Sequence, residues 1–135
     1  MATLKSIDFS KVDYAVIHYG TNDFGGNVVI ENSSNNMDTS TICGALRTSI
    51  TTLLGAYPKL QLFISLPVYR YWTSNNVNTY AETYQNTLGN YLPQVVEAIR
   101  KVAIEYHLPV IDGYNGMGIN SINASQFLED GTHHN

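Results

Sequence analysis

Three short apolar runs, each stopped by a glycine or a proline, constrain this chain more than any other feature. They are Tyr14-Ala15-Val16-Ile17-His18-Tyr19 before Gly20, Leu60-Gln61-Leu62-Phe63-Ile64-Ser65-Leu66 before Pro67, and Pro109-Val110-Ile111-Asp112 before Gly113. Runs this apolar suit strands buried on both faces of a parallel sheet. Helices fit between them. Ile42, Leu46, Ile50, Leu53, Leu54 and Tyr57 make one apolar stripe at helical spacing, with capping residues at Asp38 to Thr41 before it and Pro58 after it. A second helical region reads from about Val77 to His107, along Tyr80, Tyr84, Leu88, Leu92, Val95, Val96, Ile99, Val102, Ala103 and Tyr106. Gly89 and Pro93 interrupt it, which predicts a kink or two consecutive helices. The tract Gly25 to Asp38, rich in Asn, Ser and Gly, reads as a loop. Strands alternating with helices predict an α/β fold with a parallel sheet and right-handed crossovers. Ligands of such sheets gather at the carboxyl ends of the strands.

At 135 residues the chain suffices for one domain and not two. Charged residues make up only 13% and the net charge is −4, so no basic stripe offers itself to nucleic acid. The polar surface comes instead from Asn, Thr, Ser and ten Tyr, which suits an extracellular, cell-surface or virion-associated protein better than a cytoplasmic one. The single cysteine, Cys43, excludes an internal disulfide and a Cys-based zinc site. It reads as a small buried apolar residue on the first helix. No apolar run is long enough to span a membrane. The opening MATLKSIDFSK holds no apolar core of a secretion signal. The sequons at Asn32 and Asn123 matter only on a eukaryotic secretory route, which nothing else supports.

Two polar stretches carry chemistry. One is His18-Tyr19-Gly20-Thr21-Asn22-Asp23, where the first strand opens into a loop; the other is Asp130-Gly131-Thr132-His133-His134-Asn135. An Asp three residues before a His can turn back and accept from the imidazole, fixing its tautomer and stabilising the imidazolium. The usual partner of such a pair is a nucleophile. An Asn held at a strand end by a glycine-led turn can aim its NH2 at a developing oxyanion. His134 beside His133 points the opposite way on an extended segment, and without a third ligand no metal is expected. His18, inside a strand, reads as a satisfied core histidine, and Asp112 as structural. Pro67 to Trp72 sits at another strand end. Tyr69, Arg70 and Trp72 are candidates to line a substrate groove; the alternative is a loop packed over the sheet end.

Gly20-Thr21-Asn22-Asp23 resembles the third block (Gly-X-Asn-Asp) of the SGNH hydrolases, also called GDSL esterases, and Asp130-Gly131-Thr132-His133 resembles their fifth (Asp-X-X-His). Order and separation fit, and the likeness runs from about Val12 to Asn135. The resemblance implies a three-layer α/β/α sandwich of flavodoxin-like type. It implies Asn22 as the side-chain donor of an oxyanion hole, His133 as general base and Asp130 as the residue orienting it. Gly20 would form the turn, and Asp23 would brace it rather than touch substrate. The expected reaction is hydrolysis of a small ester or an acylated carbohydrate, with no cofactor.

The family's first block, Gly-Asp-Ser, carries the nucleophile and should precede Gly20. No residue triplet there reads so, and the only serines upstream are Ser6 and Ser10. The second block's glycine and the closing helix after His133 are also missing. The expectation is therefore a single, incomplete SGNH-like domain over residues 1–135, inactive by itself, whose catalytic serine lies outside the chain. Its first strand would form an apolar edge open to self-association or to the remainder of a larger polypeptide. A non-catalytic carbohydrate-binding or structural module of a surface or phage-type assembly is the alternative. A flavodoxin-like nucleotide binder fits less well, because no glycine-rich phosphate loop follows the first strand.

Overall fold

The structure, a computed structural model, describes residues 6–135. Residues 1–5, part of the opening stretch read for a secretion signal, lie outside it. Three strands form a parallel sheet: β1 (Tyr14–His18), β2 (Gln61–Ser65) and β5 (Val110–Ile111). Their order is β1-β2-β5, with Tyr14 opposite Gln61, His18 opposite Ser65, and Ser65 opposite Ile111. This is the parallel α/β arrangement expected, and among the described residues β1 is an edge of the sheet.

Two long helices supply the crossovers. α2 (Ile42–Ala56) begins where Thr41 Oγ1 accepts from the Gly44 N–H at 3.1 Å, satisfying one free donor of the first turn. α3 (Leu92–Glu105) begins at Tyr91, whose N–H donates to the Gln94 side chain at 2.7 Å. The two pack together, and Leu46, Ile50, Val96, Ile99, Leu62 and Ile64 are all buried in one core. Cys43 is buried among them, and burial pushes its thiol up to about 11. Arg47, 8% exposed, ties α2 to Glu31 at 2.6 Å and to Glu105 at 3.0 Å.

Only one face of the sheet is covered by the described residues. Tyr14 is 69% exposed, Val16 55% and Ile111 47%, and His18 shares their face. The apolar runs thus do not bury both faces: along β1 every second side chain looks away from α2 and α3. The sheet and one helical layer of the expected sandwich are formed by the described residues.

A second difference concerns Val77 to Tyr91. This segment is not helical. β3 (Tyr71–Ser74) and β4 (Val77–Tyr80) form an antiparallel hairpin around Asn75-Asn76, with φ of 50° and 60°. Positive φ at both central residues is the two-residue turn that matches strand twist, and Asn tolerates it better than most residues. Turns follow, and Pro93 lies in the first turn of α3, where its missing N–H costs nothing. Three short helices complete the described chain: α1 (Thr21–Gly25), α4 (Gly113–Gly116) and α5 (Ala124–Phe127). Asp112 caps α4 by accepting from the Asn115 N–H at 2.9 Å, and it pairs with Arg100 at 2.9 Å. The segment between α1 and α2 is a loop, as expected, closed by an Asn32–Asp38 side-chain bond of 2.8 Å.

Candidate active site

β1 ends in a turn that only glycine can make. Gly20 has φ of 112°, and a Cβ there would stand 2.6 Å from Ile99 Cδ1 and 3.1 Å from Pro67 Cγ. The chain then winds into α1. Its Phe24 N–H donates to the Gly20 carbonyl at 2.9 Å and its C-terminal neighbour Gly26 to the Asn22 carbonyl at 2.7 Å. Phe24 is fully buried beside Trp72 and Tyr84, with ring centroids 5.4 and 6.2 Å away. Asn86 donates to the Phe24 carbonyl at 3.1 Å. These contacts anchor one side of α1 and leave Asn22 exposed on the other. Asp23 is half-buried in the first turn, where its carbonyl accepts from Val28 at 2.9 Å.

The second stretch folds into a tight turn. Asp130 Oδ1 accepts from the N–H groups of Thr132 and His133, each at 2.9 Å, while Oδ2 lies 2.7 Å from His133 Nδ1. The backbone N–H of His133, its ring and the Thr132 N–H together hold the Asp130 carboxyl far below the usual carboxylate range. Gly131 sits at φ of 82° with its would-be Cβ 2.3 Å from the Tyr71 carbonyl, and its own carbonyl accepts from the Tyr71 N–H at 3.0 Å. The hairpin therefore docks the turn. Glu129 donates to the His133 carbonyl at 2.9 Å, and Asn135 to that of Phe127 at 3.0 Å.

Folding brings the two stretches to one open cleft of about 470 Å³, lined by His18, Thr21, Asn22, Val68, Thr132, His133 and His134. Asn22 and His133, far apart in sequence, share its walls. Of the loop after β2, Val68 reaches this cleft. Tyr69 is 2% exposed and donates to Glu82 at 2.7 Å; burial, then that carboxylate, raises its phenol well above the ordinary value. Trp72 stacks on Tyr84 at 4.0 Å, and the Arg70 guanidinium sits 4.5 Å above the Trp72 ring. None of these three candidates is among the residues lining that cleft.

His18 is a finding that differs from the sequence reading. It is exposed, lines the cleft, and its Nδ1 lies 2.9 Å from Ser65 Oγ on the neighbouring strand. His18 falls on the same alternate positions as Tyr14 and Val16, which packing turns away from the helices. Among the described residues no three His, Cys, Asp or Glu side chains converge as a metal site would require. Nor is any helix among them long and apolar enough to cross a membrane.

A glycine-led strand end presenting an exposed Asn and a carboxylate-held His thus share one cleft. The chain belongs to the GDSL-like lipase/acylhydrolase family, whose profile matches residues 2–135. In structure it is similar to a solved protein 27% identical to it, with a TM-score of 0.82 over 98% of this chain and 60% of that one. It is also similar to a Lactobacillus plantarum protein, 20% identical, with a TM-score of 0.81 over 98% of this chain and 63% of that one. A GDSL-like lipase from Bacteroides thetaiotaomicron, 18% identical, matches 91% of this chain and 54% of its own with a TM-score of 0.57. The chain thus spans between 54% and 63% of the length of these solved chains. No curated protein matches it.

Proposed function

We propose that these residues form the oxyanion-donor and general-base part of a serine ester hydrolase. The observation that carries the reading is the single cleft shared by Asn22 and the His133–Asp130 pair. A serine hydroxyl supplied from outside these 135 residues attacks the ester carbonyl. His133 takes the serine proton through the ring nitrogen not engaged by Asp130, and the Asp130 carboxylate stabilises the resulting imidazolium. The carbonyl oxygen becomes an oxyanion, and the Asn22 NH2 donates to it. The tetrahedral intermediate collapses, the alcohol leaves with the proton from His133, and water then hydrolyses the acyl-serine by the same steps in reverse roles.

Small esters and acylated carbohydrates suit an open, partly polar cleft with His18, Thr21 and Thr132 on its walls. The reaction needs only side chains and water, so no cofactor enters. The test compares hydrolysis of p-nitrophenyl acetate by this chain and by a longer chain extended upstream through a Gly-Asp-Ser segment. Turnover in the longer chain alone is expected. Turnover in the 135-residue chain would refute the external serine. A folded longer chain without turnover would move the reading to a binding or structural module on the same fold.

A further inference from the structure

We infer that Arg70 is a positioning residue of this cleft: its guanidinium clamps the α1 turn from behind and so aims the Asn22 amide. The inference rests on the oxyanion role proposed for Asn22. Arg70 Nη1 donates to the Thr21 carbonyl at 3.3 Å, one peptide from Asn22. The guanidinium carbon lies 4.5 Å from the centroid of Trp72, which stacks on Tyr84 with the rings 9° from parallel. Phe24 of α1 closes the same aromatic cluster. Arg70 thus joins the loop after β2, the hairpin and the turn that presents Asn22. A planar, delocalised cation can bond a carbonyl at its edge while stacking on an indole with its face, which a lysine does less well.

The charge itself is unusual in its setting. Arg47 and Arg100 each pair with two carboxylates. Arg70 forms no ion pair among the described residues, and its Nε is buried with no partner among them. Burial pulls its guanidinium below the ordinary value, against the attraction of Asp130. A half-buried, uncompensated cation is costly to keep. Placed one residue behind Asn22 and within electrostatic reach of Asp130, it favours negative charge forming in the cleft. The cost then has a use that packing alone does not supply.

The test compares Arg70→Met, which keeps length but loses charge and donor, with Arg70→Lys. Amide hydrogen exchange of Phe24, Gly26 and Val28, whose N–H groups hold the turn, is read in this chain. In Arg70→Met these amides should exchange about tenfold faster or more, with β2 and α3 unchanged, and Arg70→Lys should recover most of the protection. Should Arg70→Met fail to fold, Arg70→Leu likewise removes charge and donor and gives the same comparison. In the longer chain Arg70→Met should lower kcat about 10- to 100-fold with KM little changed, and lysine should restore part of it. Unchanged exchange at the turn overturns the clamp. So does faster exchange spread evenly over the chain, or a loss confined to KM. A longer chain with no activity at all refutes the role of Asn22, while the exchange data still decide the clamp.

Discussion

Replacing Gly20 with alanine should be among the most damaging single-methyl additions in the protein. Two independent costs add. The first is conformational: at φ of 112° an L side chain is strained by roughly 1–2 kcal/mol. The second is steric. The new Cβ would stand 2.6 Å from Ile99 Cδ1 with Pro67 Cγ at 3.1 Å and Val95 Cγ1 at 3.5 Å, and Ile99 is fully buried. Overpacking of this kind costs about 1–3 kcal/mol. The sum, about 2–5 kcal/mol, is a large share of the roughly 5–15 kcal/mol that holds a domain folded. For a chain of this length it lowers Tm by roughly 7–18 °C. Thermal unfolding followed by circular dichroism measures it, with Gly55→Ala as control. Gly55 lies in α2 with nothing within 4 Å of its Cβ position, so alanine there should stabilise by about 0.5–1 kcal/mol. Adding Ile99→Val removes the clashing methyl and should recover part of the loss in the Gly20→Ala background, though alone it destabilises by about 0.5–1.5 kcal/mol. A Gly20→Ala protein melting within 2 °C of the parent, a margin of about 0.5 kcal/mol, would refute both parts of the reasoning.

Two further expectations concern the Asp130 turn and the hairpin. The Asp130 carboxyl is depressed in the folded state, so its contribution is present above its ordinary value of 3.8 and is lost as pH falls below that toward the folded value. His133→Ala removes the ring contact but not the Thr132 bond, and should move the Asp130 midpoint upward toward 3.8 in a carbon-13 NMR titration; an unmoved midpoint would show that the ring does not hold the carboxylate. At the hairpin, Asn76→Val should cost about 1–2 kcal/mol in chemical denaturation, because a branched side chain resists the positive φ, while Asn76→Gly should cost nothing; equal costs would contradict the turn.

Much of this architecture is legible in the residues. β1, β2 and β5 show as apolar runs because glycine or proline stops each one, and α2 shows because its stripe is regular and bounded by Thr41 and Pro58. The hairpin of Tyr71 to Tyr80 and the turns that follow to Tyr91 are not legible in the residues. Tyr80, Tyr84 and Leu88 fall at helical spacing by coincidence with α3 beyond them, while the Asn75-Asn76 turn is the signal that outweighs it. The exposed face of β1 was hidden for a different reason. Val16 and Ile17 are equally apolar, and only tertiary packing decides that Ile17 turns toward the core and Val16 away from it. At the site, the Gly20–Asp23 and Asp130–His133 stretches were readable because each is a local device of turn and hydrogen bond. His18 was not, since its part in the cleft depends on facing away from the helices. The stacking of Arg70 on Trp72 depends on a hairpin that the helical periodicity conceals.

The amide of Asn22 is the most direct point of attack for an experiment. In a longer chain that turns over p-nitrophenyl acetate, Asn22→Ala should lower kcat about 10²–10³-fold with KM little changed, since the lost bond is made to the oxyanion and not to the resting ester. His133→Ala in the same chain should abolish turnover. If Asn22→Ala leaves kcat as it was while His133→Ala removes it, the cleft does not use Asn22 as its oxyanion donor, and the central claim fails.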